Sequence, residues 1–490
     1  LQKLPTREKK GQPCSRADTC AMQRRGPAID DSKPIWQTMI VFLIPLMLSN
    51  ILQSASATLN AIYLGRLIDV HALASAAGFF PIVFFMISFF IGISSASAVL
   101  IGQAYGAGNQ ERIKAVAGTT LALSLGGGLL VGGLGAIFVA PLLHLIGTPA
   151  DIFATSSAYA RVTFIALPLL FTYLGYSTFV RGTGDSQTPF ISLIVSTAVT
   201  LVVTPALILG WLGLPHCGVL SAAFANITGS AVGLGFLLVA LARERNPLAL
   251  DLSIIRHMRI EFGLLKTLLR IGIPTGIQLV MVSLSEIAVL ALVNRFGSGA
   301  TAAYGAVNQV VSYVQFPAIS IGIAASIFGA QTIGAKRFDR LTRIAKAGVG
   351  LNWAIEGGLI LILYVFKDAV LRWFITDPSV LQTAEKLLAI TLWGYVIFGT
   401  SSVLSGLMRS SGTVLWPTLL SIIAIWGVEV PVAYALAPHY GLDGVWAAYP
   451  VAFCTSMCFQ LIYFFGFWRR KHLTTLLGPD AGPDAEPAAA

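Results

Sequence analysis

The chain has 490 residues, 56% hydrophobic and only 11% charged, against about 25% charged in an ordinary soluble domain, which excludes a water-soluble globule. Its formal net charge of +10 would suit nucleic acid if the basic residues formed one patch, but they sit between apolar runs. The composition is that of an all-α polytopic membrane protein.

Residues 1–33 are polar, basic and rich in turn formers, which predicts a disordered cytoplasmic tail. No short apolar region with a small-residue cleavage site follows, so the tail does not read as a signal peptide, and Met22 is a candidate start. Crossing the hydrocarbon takes about 20 mostly apolar residues as a helix. Twelve such runs follow, near residues 35–64, 72–104, 115–143, 159–180, 189–210, 218–242, 264–294, 300–333, 345–366, 387–408, 414–437 and 444–468. The predicted organisation is an N-terminal six-helix lobe over 34–242, a cytoplasmic linker over 243–263, a C-terminal six-helix lobe over 264–468 and a cytoplasmic tail over 469–490.

The first span carries Asn50, Gln53, Ser54 and Asn60 on one broad helical face, beyond Pro45. Neighbouring amides seek water or protein rather than lipid, so they line a wet cavity or join helices by hydrogen bonds. The second span is aromatic, with Phe79, Phe80, Phe84, Phe85, Phe89 and Phe90, and the fourth carries Tyr173 and Tyr176. Aromatic faces attract cations. The loop from Gln103 to Arg112 holds Gly106 and Gly108, and the one from Arg181 to Pro189 holds Gly182 and Gly184. Neither is followed by Gly-Lys-Ser/Thr nor preceded by a strand, so neither reads as a phosphate cradle. Tight turns with a helix restart at Pro189 fit better.

The second half repeats the first. Gln331, Gly334, Ala335 and Arg340 restate Gln103, Gly106, Ala107 and Arg112 at an offset of 228, and Arg409, Gly412 and Pro417 restate Arg181, Gly184 and Pro189 at the same offset. Pro274 and Arg295 restate Pro45 and Arg66 at 229. With six spans per half, both copies enter the membrane in the same direction, so the repeat axis lies along the membrane normal. The copies differ in polarity. Where the second span has phenylalanines, the eighth has Tyr304, Asn308, Ser312 and Gln315, one polar helical stripe.

Three acids lie inside spans: Glu286 in the seventh, with Gln278 two turns earlier, Glu356 in the ninth beside Asn352, and Glu429 in the eleventh just before Pro431. A charge at mid-membrane costs roughly 2.5 to 3.5 kcal/mol on insertion scales, so each needs a partner, a proton or a cavity. Burial favours the neutral carboxyl and a nearby cation the ionised one, so a site holding either proton or cation couples the two. Packing through a neutral carboxyl is the alternative for each.

With the N-terminus inside, cytoplasmic segments hold 26 of the 32 Lys and Arg, which satisfies the positive-inside rule with both termini cytoplasmic. The cysteines and histidines are scattered: Cys14, Cys20 and Cys217 stand apart, Cys454 and Cys458 have no ligand partner, and His71, His144, His216 and His439 sit near outer ends. No metal site or enzyme constellation is predicted.

Gly102, Gln103, Gly106, Ala107, Gly108 and Asn109, then Arg181, Gly182, Gly184, Asp185 and Pro189, their second-half echoes, and the Gly218-Val219 pair restated at Gly444-Val445 resemble the multidrug and toxic compound extrusion (MATE) family. The resemblance runs over residues 35–468. It implies a V-shaped pair of bundles exporting cationic, amphipathic compounds in exchange for protons or sodium ions. Where one proton-coupled branch carries an Asp in the first span, this chain has Asn60, and where a sodium-coupled branch carries a Glu and an Asp, it has Val282 and Phe398.

The expectation is therefore a secondary antiporter of the bacterial inner membrane, acting as a monomer in the lipid bilayer without a cofactor and without a nucleic-acid partner. Its substrates are small-molecule organic cations. The coupling acids are Glu286, with Glu356 and Glu429 as further candidates. The substrate cavity is lined by Asn50, Gln53, Asn60, Phe84, Tyr173, Tyr176, Gln278, Tyr304, Asn308 and Gln315. The rival, a flippase for lipid-linked oligosaccharides, would handle an anionic substrate and favour Arg or Lys inside spans, whereas the basic residues here cluster at span ends.

Overall fold

The computed structural model describes residues 34 to 476, save residues 146, 214, 215, 245, 251 to 253, 255 to 257, 259, 376 and 472. Of residues 70, 73, 74, 77 to 81 and 212 it describes the backbone alone. The expected tails over 1–33 and from 477 lie outside the described residues.

Helices Ile35–Leu67, Val70–Gly106, Gln110–Ile137, Ala150–Gly182, Gln187–Leu209 and Leu220–Arg243 form the first lobe. The second comprises Phe262–Val293, Ser298–Gly334, Leu341–Leu371, the pair Pro378–Thr391 and Gly394–Ser410 bent by 43°, and the helical stretch from Leu415. In hydrocarbon every backbone N–H and C=O needs an internal partner, which is why apolar runs become helices. Pro45, Pro168, Pro205, Pro274 and Pro317 sit inside them, tolerated because neighbouring helices satisfy the freed carbonyls.

Among the described residues ten helices are long and apolar enough to cross a membrane, and the bent pair makes an eleventh. The last of the ten, Leu415–Arg470, has 56 residues, about 84 Å if straight, against roughly 30 Å of hydrocarbon. It folds back at Gly441, where φ is 58° and ψ −138°. A Cβ on Gly444 would stand 2.7 Å from the carbonyl oxygen of Leu436, a residue that a straight helix would hold about 12 Å away. This stretch supplies two spans, which brings the number to the expected twelve.

The lobes meet along an internal twofold. Gln103 Nε2 donates to Ser410 O at 2.8 Å and Gln331 Nε2 to Gly182 O at 3.1 Å, two bonds exchanged by the 228-residue offset. Between them the second and eighth spans pack backbone on backbone: a Cβ on Gly106 would collide with the Gln331 carbonyl, and one on Gly334 with the Gln103 carbonyl. The turns behind this seam use left-handed backbone at equivalent places, Gly184 at φ 94° and Gly412 at φ 76°, where glycine carries no Cβ penalty.

The seam runs from one end to mid-span, where Gly92 packs on the Gly272 carbonyl and Phe89 on Gly276. Met39, Phe42, Leu43 and Leu46 of the first span pack with Ile321 to Phe328 of the eighth, and Leu264, Leu268, Ile271 and Val414 of the second lobe pack with Leu100, Ile101 and Ile113 of the first. The clusters beyond it belong to single lobes, Val139 and Leu143 with Phe164 in one and Val289 with Tyr395 and Trp446 in the other. The two bundles therefore form a V, joined at the end where the first span begins and the last span finishes, and among the described residues no buried cluster joins them at the opposite end.

Candidate functional site

The seventh and eleventh spans present the acids to each other. Trp426 Nε1 donates to Met281 O at 3.1 Å, and Tyr434 Oη donates to Ala288 O at 3.2 Å. These bonds bracket Glu286 on one helix and Glu429 on the other, so the two acids stand on the same packed stretch of a helix pair. Glu429 is buried, 4% exposed, while Glu286 is exposed on the flank of its helix.

Around Glu429 the helix widens. Ile425–Glu429 winds as a π-turn, and Pro431 explains why: it brings no N–H to the preceding turn and its ring crowds the carbonyl before it. A widened turn accommodates both.

Hydroxyls from three other spans surround the pair. Tyr304 and Tyr449 share a hydrogen bond between their hydroxyls at 2.9 Å, and the Tyr304 ring stacks on Trp446 at 5.7 Å. The Tyr395 ring packs on Phe453, which also meets Tyr449. Of the eighth-span stripe, Tyr304 is buried in this cluster, Gln315 is half-buried and Asn308 is exposed. The sequence reading missed Tyr395, Tyr449 and Trp446, which lie in apolar runs with no polar stripe of their own.

Other expected residues fall elsewhere. Glu356 is fully buried inside the second lobe, beside Asn352 and pressed on Gly399, where a Cβ would collide with Asn352 Oδ1 and Glu356 Oε2. Asn352 Nδ2 donates to Val396 O at 2.9 Å, tying the ninth span to the tenth. Glu356 is not part of the acid pair.

Tyr173 and Tyr176 were expected to offer aromatic faces to a cation. Instead both are packed within the first lobe, at 5% and 2% exposure. Ser192 Oγ donates to the Tyr173 hydroxyl at 3.2 Å, and the Tyr173 ring fills the space over Gly233. Small residues on the fifth and sixth spans drew these rings into the bundle. Asn60 also turns inward, accepting from Thr204 Oγ1 at 3.0 Å. Asn50 Nδ2 donates to Ser320 Oγ at 3.1 Å across the lobes, so it helps to join them. Gln53 is exposed, and Gln278 and Phe84 are half-buried. Phe90 stacks on Phe171 at 4.1 Å and Phe89 covers Gly276, so these two serve packing, while Phe85 is exposed at 48% and the side chains of Phe79 and Phe80 lie outside the described residues.

The MatE family model matches twice, at residues 45–206 and 274–435. The chain belongs to the MatE family. Its two matches start 229 residues apart, the offset between Pro45 and Pro274. Among curated relatives, the probable multidrug resistance protein YoeA of Bacillus subtilis is 48% identical over 449 residues, covering 91% of this chain and 97% of that protein. The probable multidrug resistance protein NorM of Thermotoga maritima is 24% identical, covering 90% and 95%. A Vibrio cholerae MATE transporter aligns with a TM-score of 0.80 at 20% identity, over 89% of this chain and 98% of that one. A MATE transporter described in its outward-facing conformation aligns at 0.79 and 19%, over 89% and 95%. As a MatE protein this chain is a multi-pass membrane transporter and not an enzyme.

Proposed function

We propose that this MatE transporter is a secondary antiporter that exports hydrophobic cations in exchange for protons or sodium ions, with Glu286 as the coupling acid and Glu429 as its partner. The observation that carries this reading is that the Trp426 and Tyr434 bonds join the seventh and eleventh spans over the stretch that holds Glu286, exposed, and Glu429, buried.

Two carboxylates at close range repel unless a proton or cation lies between them. A cation arriving at Glu286 displaces the proton, and a returning proton releases the cation, which couples the two flows. The Tyr304, Tyr395 and Tyr449 hydroxyls supply oxygens for either occupant. Tyr304, Trp446 and the exposed Phe85 supply aromatic surface.

Export requires that the closed seam open while the open end closes. The N-terminus-in topology makes the present state outward-open, the state that takes up a coupling ion and releases substrate. A monomer in the bacterial inner membrane fits, because one chain contains both lobes and the whole site. The departures from the family pattern fit as well: the first-lobe position carries Asn60, engaged with Thr204, so the acids are concentrated in the second lobe.

Stoichiometry follows from the pair. One proton per monovalent cation moves no net charge, leaving about 1.4 kcal/mol per pH unit. A second proton adds about 2.3 kcal/mol per 100 mV of membrane potential. The test is ethidium efflux from energised vesicles for the parent, Glu286→Gln and Glu429→Gln. Loss of gradient-driven efflux in Glu286→Gln is the expected result, and parental efflux in that variant would move the coupling site elsewhere.

A further inference from the structure

We infer that residues 473 to 476 are a latch that holds the lobes together at the closed end and must release before the seam can open. The inference rests on the alternating-access reading above. The segment continues from the last span, so it belongs covalently to the second lobe. Its contacts reach the first.

Leu476 N donates to Gln103 Oε1 at 2.8 Å, and Gln103 is the first-lobe residue whose amide already donates to Ser410 across the seam. The Leu476 side chain packs into the cluster built from Leu100, Ile101 and Ile113 of the first lobe with Leu264 and Leu268 of the second. It also lies over the left-handed turn at Gly412, where a Cβ would stand 2.6 Å from Leu476 Cδ2. Leu473 packs into the other mixed cluster, with the first and eighth spans. Trp468 anchors the base of the segment by donating from Nε1 to Ser411 Oγ at 2.8 Å.

The internal twofold supplies the control. Gln331 stands where Gln103 stands in the other lobe, and its amide makes the equivalent bond to Gly182. Among the described residues its Oε1 is buried with no hydrogen-bond partner, whereas Gln103 Oε1 has Leu476. The duplication accounts for the seam, and the terminal segment adds one lobe-to-lobe bond that it does not. When the seam opens, Gln103 moves away from the second lobe, so the Leu476 bond and the burial of both leucines are lost together. The segment therefore weights the equilibrium toward the present state.

The test uses spin labels at Glu111→Cys and Asp339→Cys, exposed positions on the two loops at the closed end, in a chain whose five native cysteines are replaced. Distances are measured in lipid nanodiscs for the labelled parent, for a chain ended after Lys471, and for Leu476→Pro, which removes that N–H and puts a proline ring in place of the leucine side chain. The latch predicts at least a tenfold rise in the open-to-closed ratio for the shortened chain and a smaller rise for Leu476→Pro. Parental distance distributions in both variants would overturn the latch. The response of the parent itself to pH tests alternating access separately, so failure of that reading is distinguished from failure of the latch.

Discussion

Replacing Gly106 by alanine puts a methyl group into the narrowest point of the lobe-to-lobe seam. The new Cβ collides with the Gln331 carbonyl carbon and oxygen and approaches Gln331 Cα, all of them backbone, so no side chain can rotate away. The second and eighth spans must part, and a radial gap of 0.5–1 Å forfeits a quarter to a half of each van der Waals contact along it. Overpacking of this kind costs about 1–3 kcal/mol. With about 2 kcal/mol taken from the closed state, the open-to-closed ratio rises roughly 30-fold. Gly334→Ala meets the Gln103 backbone in the same way, and the double variant adds less than the sum because both act on one seam. The assay is the alkylation rate of Ser410→Cys, a residue with no exposed surface in the closed seam, in a chain lacking the native cysteines. Gly126→Ala is the control, since a Cβ there meets nothing within 4 Å. If Ser410→Cys reacted no faster with Gly106→Ala than with Gly126→Ala, the seam would not be the gate.

Three further outcomes are expected. Glu356→Gln keeps gradient-driven efflux within about twofold of the parent, because Glu356 lies apart from the acid pair, whereas Gly399→Ala, which drives a methyl into Asn352 and Glu356, lowers the melting temperature in detergent. Tyr304→Phe breaks the bond to Tyr449, a loss of about 1 kcal/mol, and lowers the apparent affinity for the driving ion about fivefold in a titration of efflux against that ion. Trp426→Phe removes the Met281 bond and weakens the dependence of efflux on Glu429 by freeing the eleventh span from the seventh. A double-mutant cycle with Glu429→Gln measures that coupling.

The duplication was legible because Gln103, Gly106 and Arg112 and their partners 228 residues on keep both identity and spacing. The same periodic logic placed Tyr304, Asn308 and Gln315 on one face, and the structure buries Tyr304 of that face against Tyr449 and Trp446. The pairing of the two acids was not legible, since it depends on hydrogen bonds from Trp426 and Tyr434 to backbone carbonyls, which no residue pattern announces. Pro431 was a signal for disturbance near Glu429, but a proline permits a kink, a bend or a π-turn, and only packing selects among them. Tyr173 and Tyr176 failed for a related reason. An aromatic ring in an apolar run faces wherever a neighbouring helix leaves room, and here Gly233 leaves it on the inside. Gln103 and Gln331 read as ordinary turn residues until the two lobes are brought together, when each becomes the donor that closes the other's chain.

The central claim is that Glu286 couples ion entry to cation export. Ethidium efflux should be measured in everted vesicles carrying the parent or Glu286→Gln, with the pH gradient and the sodium gradient imposed separately. The account predicts that one gradient alone drives efflux in the parent and that Glu286→Gln abolishes this response. Efflux by Glu286→Gln at the parental rate, under the gradient that drives the parent, would contradict it.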